Sequence, residues 1–293
     1  MSNYAREFAA ALYLDHVSGK FVLSFRGTNF RETVDWLNNL SQGATGYAPQ
    51  YDAAQLVSYG LSLATALNTW TDPGVAGLEL TGHSLGGGLA SAGAIAAGVH
   101  AQTFNAAGLQ VPEVFLQADG TDLVSGASGR YALRNTLIHT YAVWLGTPRS
   151  DGSQDAPDIL TYLQKLFDVQ WNGKTFLPDA VGVETKLDGL YNLTADEYRL
   201  LNRIRDLIVG FEGEPLSSFL PLFVSAGWQF EPFREWLRNN YIDVYATIDW
   251  PIATSLITKL TNSHGMENIL HGLMIKPGWN VYDVVNPQQG GVQ

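Results

Sequence analysis

Residues 80–88 read Leu-Thr-Gly-His-Ser-Leu-Gly-Gly-Gly, and this stretch decides the fold that the sequence predicts. The mostly apolar residues 75–80 before it predict a short buried strand, and the alanine-rich residues 89–97 after it predict a helix. Ser84 stands at the centre of the intervening Gly-x-Ser-x-Gly. A serine in such a strand-turn-helix has a strained backbone and presents its hydroxyl at the edge of a sheet. Ser84 is therefore a candidate nucleophile.

Strands and helices alternate around this turn. Residues 8–14 and 21–25 flank a turn-rich connection and predict paired strands, whereas residues 49–70 predict a long amphipathic helix. Residues 101–104 and 137–144 predict two further strands. This alternation is typical of an α/β fold, with a mostly parallel sheet, helices on both faces and functional sites at the carboxyl ends of the strands.

Composition narrows the class of protein. The 293 residues suit one large domain, and the less regular residues 165–256 predict a cap or insertion within it. Acidic residues number 28 against 17 basic ones, which disfavours a nucleic-acid partner. The chain has no cysteine, which excludes disulfides and thiolate catalysis. No stretch approaches the roughly 18 continuous apolar residues of a membrane span.

The first 14 residues lack the length and the cleavage site of a signal peptide. Together with the missing cysteines, this favours a bacterial protein that is exported without a cleaved N-terminal signal peptide and without oxidative folding. The same features are compatible with the cytoplasm. The sequence does not indicate an oligomeric state.

A serine hydroxyl becomes a nucleophile when a histidine, oriented by a carboxylate, takes its proton. In α/β-hydrolase sheets the three residues follow the order Ser, Asp or Glu, His. Of the six histidines, only His264 and His271 follow every candidate acid. His264 lies in a loop before a predicted helix and His271 lies within it, so His264 is the preferred base; its alternative role is a polar residue at a helix start. The other histidines are expected in a hairpin turn, in the serine turn and in strands: His16, His83, His100 and His139.

The acid is expected in the loop after the strand at residues 137–144, where Asp151, Asp155 and Asp158 all lie. Asp151 and Asp155 stand in a polar stretch, whereas Asp158 precedes an apolar helix. Aspartate also caps helices well, so spacing alone favours Asp158 only slightly.

The oxyanion of an acyl-transfer reaction needs preorganised hydrogen-bond donors. One is expected to be the backbone N–H of Leu85, directly after the serine and at the start of the predicted helix. The other is expected from Thr28, which follows an earlier strand and offers both an N–H and a hydroxyl. The alternative is that residues 27–29 form a simple turn.

These motifs resemble the class 3 lipase family, and within it the secreted bacterial phospholipases A that cleave the sn-1 ester. The similar segments are residues 25–28, 35–40, 81–90, 103–108, 158–164 and 264–266. The resemblance implies an α/β-hydrolase fold of the class 3 lipase type. It also implies a role for each candidate residue: Ser84 as nucleophile, Asp158 as acid, His264 as base, and Thr28 with Leu85 as oxyanion hole.

The chain departs from that family in two regions. Residues 145–157 read as an insertion directly before the acid, and residues 165–256 match no recognisable segment. Two stretches are lid candidates, residues 31–40 beside the oxyanion loop and the apolar residues 211–236.

The sequence therefore predicts a lipolytic carboxylic ester hydrolase, a lipase or phospholipase A, that works through an acyl-enzyme without metal or organic cofactor. Its substrate is expected to be a lipid or another ester, met at a lipid–water interface. Two alternatives stay open, a small-ester carboxylesterase and a non-catalytic lipid-binding protein on a hydrolase scaffold.

Overall fold

The computed structural model of the protein is built around the strand that leads into Ser84. The structure describes residues 8–27, 49–71, 77–110, 113–117, 119–146, 156–166, 170–171, 174–175, 178–210, 234–235, 238–239 and 242–275. Thr28, Asp151 and Asp155 lie outside these residues, as do both lid candidates except for residues 234 and 235.

Within the described residues, seven strands form one mixed sheet in the order β1-β2-β3-β4-β5-β6, with β9 on β5. Its first two strands are antiparallel, and the pairs β2-β3, β3-β4, β4-β5 and β5-β9 are parallel. The prediction of a mostly parallel sheet is confirmed. The strands are β1 (Ala10–Leu14), β2 (Phe21–Phe25), β3 (Leu78–His83), β4 (His100–Phe104), β5 (Ile138–Gly146), β6 (Ala156–Pro157) and β9 (Val183–Asn192), with β7 (Gln170–Trp171) and β8 (Lys174–Thr175) forming a separate hairpin.

Helices of eight or more residues connect and flank these strands. They are α1 (Pro49–Thr71), α2 (Leu85–Ala97), α3 (Ile159–Leu166), α4 (Ala195–Gly210), α5 (Trp250–Ser263) and α6 (Met266–Ile275). Shorter helical segments are Glu113–Phe115, Ala127–Arg130, Tyr131–Leu133, Arg134–Leu137 and Ile242–Ala246. In the part of the chain that the structure describes, none of the helices is both long and apolar enough to span a bilayer.

The sheet buries apolar side chains on both faces, because neighbouring residues of a strand point to opposite sides. On one face Ala101 and Ile138 belong to the core cluster that contains α2. On the other face Tyr141 and Val143 pack with α6. Helices therefore cover both faces, and the predicted α/β class is confirmed.

The turn at Ser84 is tighter than the sequence predicts. The strand begins at Leu78 rather than at residue 75 and continues through His83, and the helix begins at Leu85 rather than at residue 89. Glycines permit this close packing, since a Cβ on Gly82 would lie 2.1 Å from the carbonyl oxygen of Gly86. A Cβ on Gly86 would lie 2.3 Å from the carbonyl oxygen of Phe25.

The pattern analysis missed β9 and α5. In β9 only Leu187 is buried, so the strand lacks an alternating apolar signal and is held by backbone pairing with β5. The start of α5 did carry a signal, an N-cap Asp249 followed by Trp-Pro. Leu256 and Leu260 of this helix lie in the core.

Replacing Gly86 with alanine is expected to destabilise the protein by about 3 kcal/mol or more, because the new Cβ meets backbone atoms that have no room to move. The matched control is Gly60→Ala in α1, where a Cβ would meet nothing within 4 Å. Alanine there is expected to add about 0.5 to 1 kcal/mol through helix propensity. Urea unfolding measures both changes, and equal stability of the two variants would contradict the close packing of the turn.

Candidate active site

Ser84 joins the last residue of β3 to the first residue of α2. Its backbone angles are φ 58° and ψ −127°, a left-handed conformation that costs energy for a residue with a side chain. Two hydrogen bonds hold it there, one to the last residue of β4 and one to the chain that follows β4. The Ser84 N–H donates to the carbonyl of Phe104 over 3.0 Å, and the N–H of Ala107 donates to the Ser84 carbonyl over 2.9 Å. The serine is only 2% exposed.

Asp158 lies beside this turn because β4 is shorter than β5. β4 pairs with β5 only as far as Tyr141, so the later residues of β5 have no β4 residue beside them. The N–H of Asp158 donates to the carbonyl of Val143 over 2.9 Å. Asp158 is thus bound to β5, a strand of the same sheet that carries Ser84.

The Asp158 carboxylate is completely buried and accepts hydrogen bonds on both oxygens. Oδ1 accepts the N–H of Leu160 over 3.0 Å and lies 2.5 Å from Nδ1 of His264. Oδ2 accepts the hydroxyl of Thr161 over 2.6 Å. Asp158 therefore binds the start of α3, the alternative role considered from sequence, and contacts the preferred base at the same time.

His264 is completely buried at the turn between α5 and α6. An ionised carboxylate can only accept hydrogen bonds, so Nδ1 is the nitrogen of His264 that carries the proton toward Asp158. Nε2 is then the nitrogen that can take up a further proton. The ring centroid lies 4.7 Å from that of His83, the residue directly before Ser84.

The structure thus gathers Ser84, Asp158 and His264 at the carboxyl ends of β3, β4 and β5. The other histidines lie where the sequence predicts, in the hairpin turn, in the turn before Ser84, in strands and within α6: His16, His83, His100, His139 and His271. Of these, His139 contacts the hydroxyl of Thr185 through Nε2.

The candidate oxyanion donors are only partly described. Leu85 is the first residue of α2, where backbone N–H groups have no partner within the helix and the helix dipole is positive. Thr28 lies outside the described residues, but Gly27 before it is described. A Cβ on Gly27 would lie 2.5 Å from the carbonyl oxygen of His83, so the chain leaving β2 passes directly beside the serine turn.

Sequence reasoning did not identify Asn105, which follows β4 with φ 41°. Its Oδ1 accepts the N–H of Val143 over 2.8 Å, and its Nδ2 donates to the carbonyl of His264 over 3.2 Å. Asparagine tolerates the left-handed region better than other residues with side chains. An asparagine at the end of a short parallel strand is the signal that was available in the sequence.

His83 also contacts the His264 backbone, with its Nε2 2.7 Å from the carbonyl oxygen of His264. Burial, and then the proximity of His264, lowers the pKa of His83 from 6.5 to about 3. His83 is therefore neutral at physiological pH.

Among the residues that the structure describes, no three or more His, Asp or Glu side chains are grouped to hold a metal ion. A surface pocket of about 320 Å³ lies elsewhere, lined by residues that include Gln110, Arg134 and Asp179.

Protonation of His83 is expected to make stability depend on pH. Below pH 6.5 the unfolded chain takes up a proton at His83, whereas the folded chain stays neutral there down to about pH 3. The unfolded state binds more protons, so stability falls as the pH is lowered across this window. The slope that this one group contributes is at most about 1.4 kcal/mol per pH unit.

Replacing His83 with glutamine removes this contribution, so the free energy of unfolding is expected to vary less between pH 6.5 and 4. Urea unfolding at a series of pH values measures the slope. The exposed His100 provides the control, since His100→Gln is expected to keep the wild-type slope. An unchanged slope in His83→Gln would show that His83 is not buried in its neutral form.

Comparison with known proteins gives two matches. A family model for phospholipase-like proteins, the Tle-like phospholipase domain, matches residues 1–189, a range that includes Ser84 and Asp158 and ends before His264. An extracellular phospholipase A1 of Serratia liquefaciens is 43% identical over 102 residues, which are 35% of this chain and 28% of that protein. The aligned part thus spans little more than a quarter of the relative. Because the family model covers more than half of the 293 residues, the chain belongs to the family of Tle-like phospholipase domains.

Proposed function

We propose that this protein is a phospholipase with an α/β-hydrolase fold of the class 3 lipase type, and that Ser84, Asp158 and His264 form its catalytic triad. One observation carries the proposal: a buried Asp158–His264 hydrogen bond of 2.5 Å beside the strained turn at Ser84. The two residues of this bond are 106 positions apart in sequence. Together with Ser84 they follow the chain order Ser, Asp, His, which is the order found in α/β-hydrolases.

The reaction follows from the proton positions. Ser84 Oγ attacks the ester carbonyl carbon while Nε2 of His264 takes the hydroxyl proton, and Asp158 stays ionised to stabilise the imidazolium. The tetrahedral intermediate then breaks its bond to the alcohol oxygen, which receives the proton from Nε2. This step leaves an acyl group on Ser84. Water, deprotonated by His264, cleaves the acyl-enzyme and releases the fatty acid.

Negative charge on the substrate oxygen is stabilised by donors that are fixed before the reaction. The N–H of Leu85 and the positive end of the α2 dipole supply one part of this oxyanion hole. We propose Thr28 as the second donor, since Gly27 lies against the carbonyl of His83. The reaction requires no metal ion or organic cofactor.

The substrate is proposed to be a phospholipid cleaved at the sn-1 ester. Family membership and the similarity to an extracellular phospholipase A1 support this choice over triacylglycerol. The relative's description as extracellular also supports export of this chain. Ser84 is 2% exposed and Asp158 and His264 have no exposed surface, so the proposed triad lies beneath the protein surface.

The proposed activity is tested by incubating the full chain with phospholipid vesicles and triacylglycerol emulsion together and identifying the products by mass. Wild type is expected to release a free fatty acid and a 2-acyl lysophospholipid. Ser84→Ala is expected to release neither and to resist labelling by a fluorophosphonate, because the nucleophile is gone. Ser125→Ala, which changes an exposed serine, is the matched control and is expected to behave like wild type. Release of diacylglycerol as the main product would point to a lipase, and labelling of Ser84→Ala equal to wild type would refute the nucleophile.

Asp158→Asn is expected to lower kcat by about 10³ to 10⁴-fold, because an amide group facing Nδ1 favours the wrong tautomer of His264. The exposed Asp188→Asn is the control and is expected to keep full activity. Asp151→Asn and Asp155→Asn test the alternative acids. Activity that survives in Asp158→Asn and collapses in either of these two would overturn the assignment of the acid.

A further inference from the structure

We propose that His83 and Asn105 are positioning residues that jointly hold the backbone carbonyl of His264 and thereby fix its imidazole relative to Ser84. The inference rests on the catalytic triad proposed above. Neither residue is assigned to the reaction itself. Each acts through His264.

The direction of both hydrogen bonds is unambiguous. A carbonyl oxygen only accepts, so His83 must donate through Nε2–H and Asn105 through Nδ2–H, over 2.7 and 3.2 Å. Asn105 cannot be turned around, because its Oδ1 accepts the N–H of Val143, which only donates. The carbonyl of His264, which has two lone pairs, thus accepts hydrogen bonds from two side chains, one at the end of β3 and one directly after β4.

Both donors are tied closely to Ser84. His83 is the residue that precedes the serine in the chain. Asn105 follows Phe104, whose carbonyl accepts the Ser84 N–H over 3.0 Å. Two short paths, one covalent and one through a hydrogen bond, therefore link the Ser84 backbone to the same atom of His264.

Asn105 also ties the base to the acid. The N–H of Val143 donates to Asn105, and the carbonyl of Val143 accepts the N–H of Asp158 over 2.9 Å. The backbone of His264 and the carboxylate that contacts its Nδ1 are thus both located from one residue of β5, Val143. A shift of this residue moves both together.

Two backbone hydrogen bonds within the His264 turn are local. His264 N–H donates to Thr261, and Gly265 N–H donates to Asn262, over 3.2 and 3.0 Å. Such bonds fix the shape of the turn but not its distance from β3. The two donors to the His264 carbonyl act directly on that distance, and an error of about 1 Å there can cost about a hundredfold in rate.

His83→Asn and His83→Gln form the decisive pair, because both carry an amide and differ in reach. The amide nitrogen of glutamine reaches the position of Nε2, whereas that of asparagine does not. His83→Asn is expected to lower kcat about 10- to 100-fold with KM within about twofold, and His83→Gln to recover most of it. Asn105→Asp keeps the acceptor for Val143 and tolerates the positive φ, but it loses the donor, so a similar fall in kcat is expected.

A second readout separates positioning from general loss of stability. The low-field proton resonance of the His264–Asp158 hydrogen bond is expected to shift or broaden in His83→Asn and Asn105→Asp, and to return in His83→Gln. His100→Asn and Asn135→Asp change exposed residues of the same types. These controls are expected to keep wild-type kcat and resonance.

The outcomes distinguish the two proposals. If His264→Ala stays active, the triad is wrong and the positioning inference falls with it. If His264→Ala is inactive while His83→Asn and Asn105→Asp keep wild-type kcat and resonance, only the positioning inference is wrong. Should one of the two variants not fold, the other decides by the same criteria. A kcat for His83→Gln as low as that of His83→Asn would likewise contradict a role for the Nε2 donor.

Discussion

The arrangement around Ser84 depends on the backbone N–H and C=O groups of Val143. β4 stops pairing at Tyr141, so the N–H and C=O of Val143 face a space that no β4 backbone fills. The side chain of Asn105 takes the N–H, and the backbone of Asp158 takes the C=O. Each of these partners then contacts His264, through its carbonyl or its Nδ1. Because β4 does not pair with Val143, the backbone groups of Val143 can instead bind the Asn105 side chain and the Asp158 backbone.

Burial makes the hydrogen bonds of Asp158 and His264 necessary. Asp158 and His264 have no exposed surface, and an isolated buried carboxylate would be costly unless donors surround it. Asp158 has three, the N–H of Leu160, the hydroxyl of Thr161 and Nδ1–H of His264. Asn268 links the turn that carries His264 to β9, since it accepts the N–H of Leu190 and donates to the carbonyl of Asn262. The turn that carries His264 is therefore tied to the sheet on two sides.

Local patterns predicted the strands and helices whose signals are strong. The hairpin of β1 and β2, the long α1, and the strands β4 and β5 lie within a few residues of their predicted bounds. The segment around Ser84 was predicted as strand, turn and helix, but residues 86–88 were interpreted as part of the turn, whereas they belong to α2. Polar β9 went unpredicted because its pairing with β5, and not its composition, makes it a strand.

The sequence by itself determined the α/β class, the place of Ser84 at a strand-to-helix turn, and the short set of acids and histidines that can follow it. These features can be predicted because glycine spacing, apolar periodicity and the order of residues are visible in the sequence without any tertiary contact. Only the tertiary structure decided that Asp158 contacts His264, and that His83 and Asn105 both donate to the carbonyl of His264. These contacts join residues more than a hundred positions apart, and they follow from the length of β4 relative to β5, which no local pattern encodes.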